Sequence, residues 1–392
     1  MAAEYVLKYG PMQAATISGG PAAIWGEIPF TALGWTDSLN QAGSWSATMP
    51  LDCGIKQWDL APGSSCCWIM RDERCVFSGP LWTASVDVAA GTVTLNGEGW
   101  LSYLARRYDY DVAFPPDPIE TTWGGKQLFP GAIVTNQALV DAGYHMAVAV
   151  LYGRTGYDQG WGFGGTRSGP PFYVPDEWNY PSFGPDPWPS VDFAQTDGAI
   201  LSLADILQKC ANTAGVPGFK FTGTASGAGM AIRYDMLTPV EGRHTGESLT
   251  IDRGLAALTV AIDGSQRVNT VISIGDPVRA PIVGYHTTAA LAQTEPILNR
   301  VDSNSQMYLP ATMLGRATEI LDVLGQPLDL PSFTLTLDDP LNGDLQVGDV
   351  VGVQAQLGYL DINDDYRITQ MTTTVAGSET VTVTVAPAGT FT

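Results

Sequence analysis

The sequence predicts a β-rich α+β fold, and three observations carry that prediction. Only 15% of residues are charged against 45% hydrophobic and 10% aromatic, the balance of a folded chain with ample core. Glycine (44) and proline (27) cut the chain into short alternating apolar runs, which is how strands and turns are written. One amphipathic helix near the C-terminus feeds straight into such runs, so helix and strands share a unit. At 392 residues the chain holds about two or three domains of ordinary size.

Taken in order, Gly34 to Met49 contains a turn at Asn40-Gln41-Ala42-Gly43, after which Trp45, Ala47 and Met49 alternate with small polar residues. Cys66 to Met70 and Cys75 to Phe77 flank Arg71-Asp72-Glu73-Arg74, a polar hairpin tip. Leu81 to Val88 places Trp82, Ala84, Val86 and Val88 on one face, and Thr92 to Leu95 returns across Ala89-Ala90-Gly91. Gly99 to Arg107 closes this part as a short helix. Residues 121–195 change character. Aromatic residues interleave with proline and glycine, Asn136 to Ala142 is expected as a short helix, and Gly153 to Pro189 as a long ordered loop.

Gly198 to Ala214 predicts a second helix, with Ile200, Leu203, Ile206, Leu207 and Cys210 on one stripe and Asp197 as N-cap. Strands are expected at Lys220 to Thr222, Ala231 to Asp235, Leu249 to Ile251 and Arg267 to Asp276, and a helix over Arg253 to Asp263. Met313, Ala317, Ile320, Leu321 and Leu324 then recur at helical spacing until Gly325 and Pro327 stop the helix. Ser332 to Asp338 alternates with Phe333, Leu335 and Leu337 on one face, and Gly348-Asp349 marks a tight reversal within Leu345 to Val353.

Nineteen basic against forty acidic residues give a net charge of −21, with no basic run. That excludes general nucleic-acid binding through phosphates, which needs a basic footprint. Met1 to Pro11 lacks a basic region followed by an apolar core, and no apolar run approaches the roughly 20 residues of a membrane helix. Synthesis in the cytoplasm without a membrane-spanning segment is the expectation. Five cysteines show no Cys-x-x-Cys spacing, and Cys66 and Cys67 point to opposite strand faces, so buried reduced thiols are expected rather than zinc or disulfides.

Chemical motifs fail on context. Gly160-Trp161-Gly162-Phe163-Gly164-Gly165 has the letters of a dinucleotide fingerprint, but Ser168-Gly169-Pro170-Pro171 follows where a helix must open. Asp361, Asn363 and Asp365 start like a calcium loop, yet Tyr366 and Thr372 occupy the glycine and bidentate glutamate positions, leaving a solvated turn. His145, His244 and His286 are isolated, and no Gly-x-Ser-x-Gly elbow occurs. Among forty acidic residues some glycosidase-like carboxylate pair is expected by chance. No catalytic residue, cofactor or metal is expected.

The C-terminal succession of helix, strand, Leu345-Gln346-Val347-Gly348-Asp349-Val350-Val351, the strand Asp365-Tyr366-Arg367-Ile368-Thr369 and a final alternating strand at Thr380 to Val385 resembles the hub proteins of long-tailed bacteriophages, the minor tail or baseplate-hub proteins. Val76-Phe77-Ser78-Gly79-Pro80-Leu81, a long hairpin and Gly97-Glu98-Gly99-Trp100-Leu101 are similar to that family's first barrel. Asn269-Thr270-Val271 with Gly275 is similar to the strand opening its second, and the resemblance covers residues 28–107 and 196–386.

The resemblance implies two small tube-protein-like β-barrel domains. On it, residues 1–107 are the first barrel, 108–195 an aromatic-rich insertion, 196–265 a helix-containing connection and 266–392 the second barrel. It implies a non-enzymatic homotrimer in the virion, at the distal tail tip, touching the tail tube or distal tail protein, the tape measure protein and other tip proteins. DNA passing through an acidic lumen would meet like charge and slide without specific binding. Arg71, Asp72, Glu73 and Arg74 are the candidates for ring or tube contact, and Trp161, Phe163, Trp178 and Trp188 for neighbouring tip proteins. Their bland alternatives are a solvated turn and a self-packed loop. A second reading is a receptor- or glycan-binding tail protein working through the aromatic loop. The sequence ends at Thr392, soon after the last strand, so a C-terminal receptor-binding or wall-degrading extension is not expected.

Overall fold

The computed structural model describes residues 3–13, 21–107, 140–141, 172–173, 190–191, 202–212, 218–227, 229–237, 242–250, 257–263, 267–274, 282–286, 296–303, 310–325, 328–336, 344–358 and 360–387. The N-terminal group comprises β1 (Tyr5–Pro11), β2 (Ala22–Ala23), β3 (Gly26–Ile28), β4 (Ala32–Ser38), β5 (Ser44–Pro50), β6 (Ser65–Arg71), β7 (Arg74–Asp87), β8 (Thr92–Glu98) and the one-turn helix α1 (Leu101–Leu104). Next come β9 (Val140–Asp141), β10 (Phe172–Tyr173), β11 (Ser190–Val191), α2 (Leu203–Ala211), β12 (Phe219–Ser226) and β13 (Gly229–Met236). The remainder is β14 (Arg243–Thr250), β15 (Ala257–Asp263), β16 (Thr270–Ile274), β17 (Ile282–His286), β18 (Asn299–Ser303), α3 (Pro310–Leu324), β19 (Leu328–Thr336), β20 (Asp349–Leu357), β21 (Leu360–Val375) and β22 (Glu379–Pro387). The predicted β-rich α+β class is the observed one.

One 13-stranded sheet runs β15-β19-β22-β21-β4-β5-β8-β7-β6-β1-β3, with β20 joining β21 to β14. Its two halves meet where Gln370 to Val375 of β21 pair with Ser38 to Leu33 of β4. Each half has its own core. Leu33, Trp35, Trp45, Ala47, Ile69 and Leu81 fill the N-terminal one, and Phe333, Leu335, Val353, Ile368 and Val383 the C-terminal one. Each fully buried large aliphatic contributes roughly 1.5–3 kcal/mol.

β6 is shared between the N-terminal core and a third core, one face in each. Cys67 and Ile69 point into the N-terminal core, while Cys66, Trp68 and Met70 pack with Trp100, α2, β12 and β13. That is why five consecutive apolar residues occur there, since a strand covered on both sides carries no solvent face. Phe172 enters the same core. Phe172 of β10 is buried, meets Trp100 edge-on at 5.7 Å and pairs with Ile232 of β13. A separate three-stranded sheet, β17-β16-β18, is covered by α3, whose Ala317 and Leu321 pack on Val268 and Val271.

Several expectations change on the structure. Ala257 to Asp263 is a strand, not the end of a helix, because the β-branched Thr259, Val260 and Ile262 find a partner in β19 while Leu258 and Val260 pack on the C-terminal core. β14 and β15, which fall in the predicted connecting segment, hydrogen-bond to β20 and β19. Val140–Asp141 pairs with Ser190–Val191 and is extended rather than helical. The N-cap of α2 is Ser202, not Asp197: its hydroxyl accepts from Asp205 N at 3.0 Å, and the Asp205 carboxylate accepts from Ser202 N, a complete capping box. Of the residues Trp82, Ala84, Val86 and Val88, Trp82 packs on the third core, while Val86 and Val88 are 57% and 78% exposed at the β7–β8 hairpin. Asp361, Asn363 and Asp365 lie on the exposed face of β21, not in a turn, while Ile362 between them is buried.

Two glycines should respond oppositely to alanine. A Cβ at Gly223 of β12 would stand 2.3 Å from Cys75 Sγ of β7, whereas a Cβ at Gly315 inside α3 meets nothing within 4 Å. Gly223→Ala is expected to destabilise by about 1–3 kcal/mol, and Gly315→Ala to stabilise by about 0.5–1 kcal/mol. Thermal unfolding followed by circular dichroism reads both signs; equal shifts would contradict the packing of β12 on β7.

Candidate functional site

The predicted polar tip sits at the junction of the three cores. Asp72 and Glu73 both adopt left-handed backbone (φ 48° and 66°), the conformation of a two-residue hairpin turn, without glycine to ease it. The strained turn is held by the residue before β1: Asp72 N donates to Glu4 O at 2.9 Å and Glu4 N donates to Asp72 Oδ1 at 3.0 Å. The four residues then part company. The Arg71 side chain turns inward, 15% exposed, and pairs at 3.4 Å with Glu379, which is 3% exposed at the start of β22. Asp72, Glu73 and Arg74 stay on the surface.

Two adjoining cavities open beside this hairpin. The first, about 380 Å³, lies between the halves and is lined by Tyr5, Asp37, Arg71, Lys220, Gln346 and Glu379 among others. Burial, and then the Glu379 carboxylate, push the Tyr5 phenol well up. Burial raises the Asp37 carboxyl to about 6, opposed by the Lys220 charge and by the Ser38 amide, which donates to it at 3.0 Å. Burial lowers the Lys220 ammonium, while Asp37, Asp235 and Asp349 pull the other way; its Nζ donates to Gln346 Oε1 at 2.6 Å. Cys75 lines both cavities, and burial pushes its thiol up to about 12, away from the thiolate form.

The second cavity, about 510 Å³, is lined by Arg74, Lys220, Arg233, Asp235, Arg243 and Asp349. Arg243 faces Asp349 across the parallel β14–β20 pair and forks onto it, Nε to Oδ1 at 2.9 Å and Nη2 to Oδ2 at 2.6 Å. Asp349 also accepts from Gln346 N at 2.9 Å, so the Gly348-Asp349 reversal visible in the sequence is organised by this carboxylate. Arg233 pairs with Asp235 at 2.6 Å.

Of the predicted residues, only the hairpin four come together, and Arg74 alone of them reaches both cavities with its charge exposed. Trp161, Phe163, Trp178 and Trp188, like the Gly160–Gly165 motif, lie outside the described residues. Sequence reasoning missed Lys220, Arg233 and Arg243, which come from three other strands and share no spacing. No group of three or more metal-ligating side chains occurs among the described residues, and no described helix is long and apolar enough to cross a membrane.

No family model matches the sequence, and no curated protein matches it. Solved structures do. A tail protein from Neisseria meningitidis MC58 aligns over 99% of this chain and 98% of its own at 13% identity, TM-score 0.58. The 43 kDa tail protein of prophage MuSo2 from Shewanella oneidensis aligns over 99% of each chain at 13% identity, TM-score 0.57. Prophage tail protein gp18 from Listeria monocytogenes EGD-e aligns over 97% and 94% at 9% identity, TM-score 0.53. The fold is therefore that of phage tail proteins.

The Asp37 carboxyl generates a pH test. Its folded pKa, about 6, exceeds its ordinary value, so the folded state binds the proton more tightly than the unfolded state. Stability falls as pH rises from about 4 through 6, and the penalty is constant above. Asp37→Asn should stabilise the protein by about 1–2 kcal/mol at pH 7.5, after discount for solvent reaching the cavity, and by nothing below about pH 4. Urea midpoints across that range check it; an effect independent of pH would contradict the assignment.

Proposed function

We propose that this chain, whose fold is that of the prophage tail proteins above, is a structural virion protein forming a homotrimeric hub at the distal tip of a long-tailed phage tail. The observation that carries the reading is coverage. The likeness runs over 97–99% of this chain and 94–99% of the three tail proteins, so the whole architecture is shared and not one module of it.

The two-core sheet supports the symmetry argument. If each half acts as a barrel equivalent to a tube subunit, three chains present six such units, and a threefold ring docks on a sixfold tube through repeated contacts. The weld between β21 and β4 would hold each pair of units at one spacing, as a ring requires. The tail tube or distal tail protein is then the partner on one side, with the tape measure protein and other tip proteins on the other. Work of this kind needs no catalytic group. A net charge of −21 fits a lumen through which DNA moves without adsorbing.

Native mass spectrometry at several concentrations, with negative-stain averaging, should find a trimer whose ring has six lobes. A chain that stays monomeric alone and with purified tube protein would overturn the hub. Replacing Trp161, Phe163, Trp178 and Trp188 with alanine should leave trimer and melting temperature unchanged while blocking tip assembly. Normal assembly would remove those aromatics from the interface, and protection of their fluorescence by soluble cell-wall glycan would favour the receptor-binding reading.

A further inference from the structure

The 510 Å³ cavity has the opposite electrostatic character to the molecule that carries it. Among the described residues its lining holds four cations, Arg74, Lys220, Arg233 and Arg243, against two carboxylates, Asp235 and Asp349. The chain as a whole has forty acidic residues and nineteen basic ones. Among the described lining residues, cations thus outnumber carboxylates by two. Arg74 is exposed and makes no ion pair with any described residue. The Arg243 side chain is 59% exposed; its fork onto Asp349 uses Nε and Nη2, which leaves Nη1 for another acceptor. Arg233 is 46% exposed beside its partner Asp235.

We propose that this cavity is a docking site for an acidic segment of a partner protein, with Arg74 and Arg243 at its mouth taking the partner's carboxylates. The inference holds whatever assembly the chain enters. Carboxylate is the anion favoured by what is already bound there. Asp349 and Asp235 show the cavity's guanidiniums receiving carboxylates, once bidentate, so an incoming aspartate or glutamate extends an existing alternation of Arg and carboxylate. A nucleic acid fits less well. Phosphate tracking needs a row of cations along the surface, whereas these converge in a cavity sized for a few side chains, on a chain whose net charge of −21 repels a long polyanion. The position adds a consequence. The cavity is walled by β7, β12, β13, β14 and the Gly348–Asp349 turn, so an occupant would touch the N-terminal hairpin, the middle sheet and the C-terminal half together.

The test uses the full chain and three probes at low ionic strength: a fluorescent hexaglutamate peptide, a single-stranded hexanucleotide and inorganic phosphate. Hexaglutamate should bind saturably, weaken with salt, and lose at least about tenfold affinity in Arg74→Glu, with Arg74→Lys recovering part of it. Arg74 has no described ion pair to lose, so circular dichroism should show both variants folded. Lys56→Glu, the same charge change on an exposed loop, should alter affinity less than about twofold, which separates the site from the general field. Absence of saturable binding overturns the proposal, as does an equal loss in Lys56→Glu. Tighter binding of the hexanucleotide would reassign the cavity to nucleic acid, and phosphate displacing the peptide stoichiometrically at micromolar concentration would reduce it to a simple anion site.

Discussion

One strand belongs to both halves of the molecule, and the rest of the structure is placed by it. The first half of β21 pairs with β20 and its last six residues with β4, while β22 runs along its other edge. Backbone hydrogen bonds have no tolerance for sliding, because a one-residue slip would carry Leu33 and Trp35 out of the N-terminal core. Side chains agree with the register: the Thr36 and Thr372 hydroxyls meet at 3.0 Å across the joint. The chain leaving β4 then fixes the third core. Leu39 N donates to Thr369 O, and Asn40, left-handed at φ 56°, accepts from Phe219 N through Oδ1 and from Gln208 Nε2 through its carbonyl. Asn is one of the few residues that occupies that backbone region cheaply while offering a side-chain acceptor. A short run from Ala32 to Asn40 therefore orients all three hydrophobic bodies.

The seam between those bodies is where the scarce cations went. Arg71 reaches Glu379, Lys220 reaches Gln346 with Asp37 nearby, and Arg243 forks onto Asp349, each joining segments far apart in the chain. Such contacts add little net stability, since desolvating each charge costs about what the attraction returns. Their effect is on orientation. Apolar surfaces slide over one another at little cost, whereas a half-buried ion pair misaligned by one residue leaves a charge without its counter-charge. Hydrophobic cores make each body fold, and polar seams make the bodies meet in one way.

This division of labour explains what the sequence discloses. Trp45, Ala47 and Met49, the α3 stripe of Met313, Ala317 and Leu321, the alternation of Phe333 and Leu335, and the opposed Cys66 and Cys67 were all legible, because local periodicity reports local burial. The strand at Ala257–Asp263 was not, since its short apolar run suits a helix as well until β19 appears beside it. The exposure of Val86 and Val88 was hidden too: alternation names a face without saying whether anything covers it. Of the site, Arg74 was found because a polar turn between apolar strands stands out. Lys220, Arg233 and Arg243 sit singly on β12, β13 and β14, and only the folded topology brings them within one cavity.

That difference bears on what the structural likeness can carry. Identities of 9–13% alongside nearly complete coverage mean that most side chains differ while the strand order is kept. Alternation, strand length and a few close approaches are enough to specify such an architecture, and many sequences satisfy them. Surface charge is under no such constraint. A fold shared at this level says how the piece is built, while the identity of what it grips is written in residues free to vary, such as four cations gathered from four strands in an acidic chain. The fold thus leaves the choice of partner to side chains such as those lining the cavity beside the β6–β7 hairpin, where cations outnumber carboxylates among the described residues.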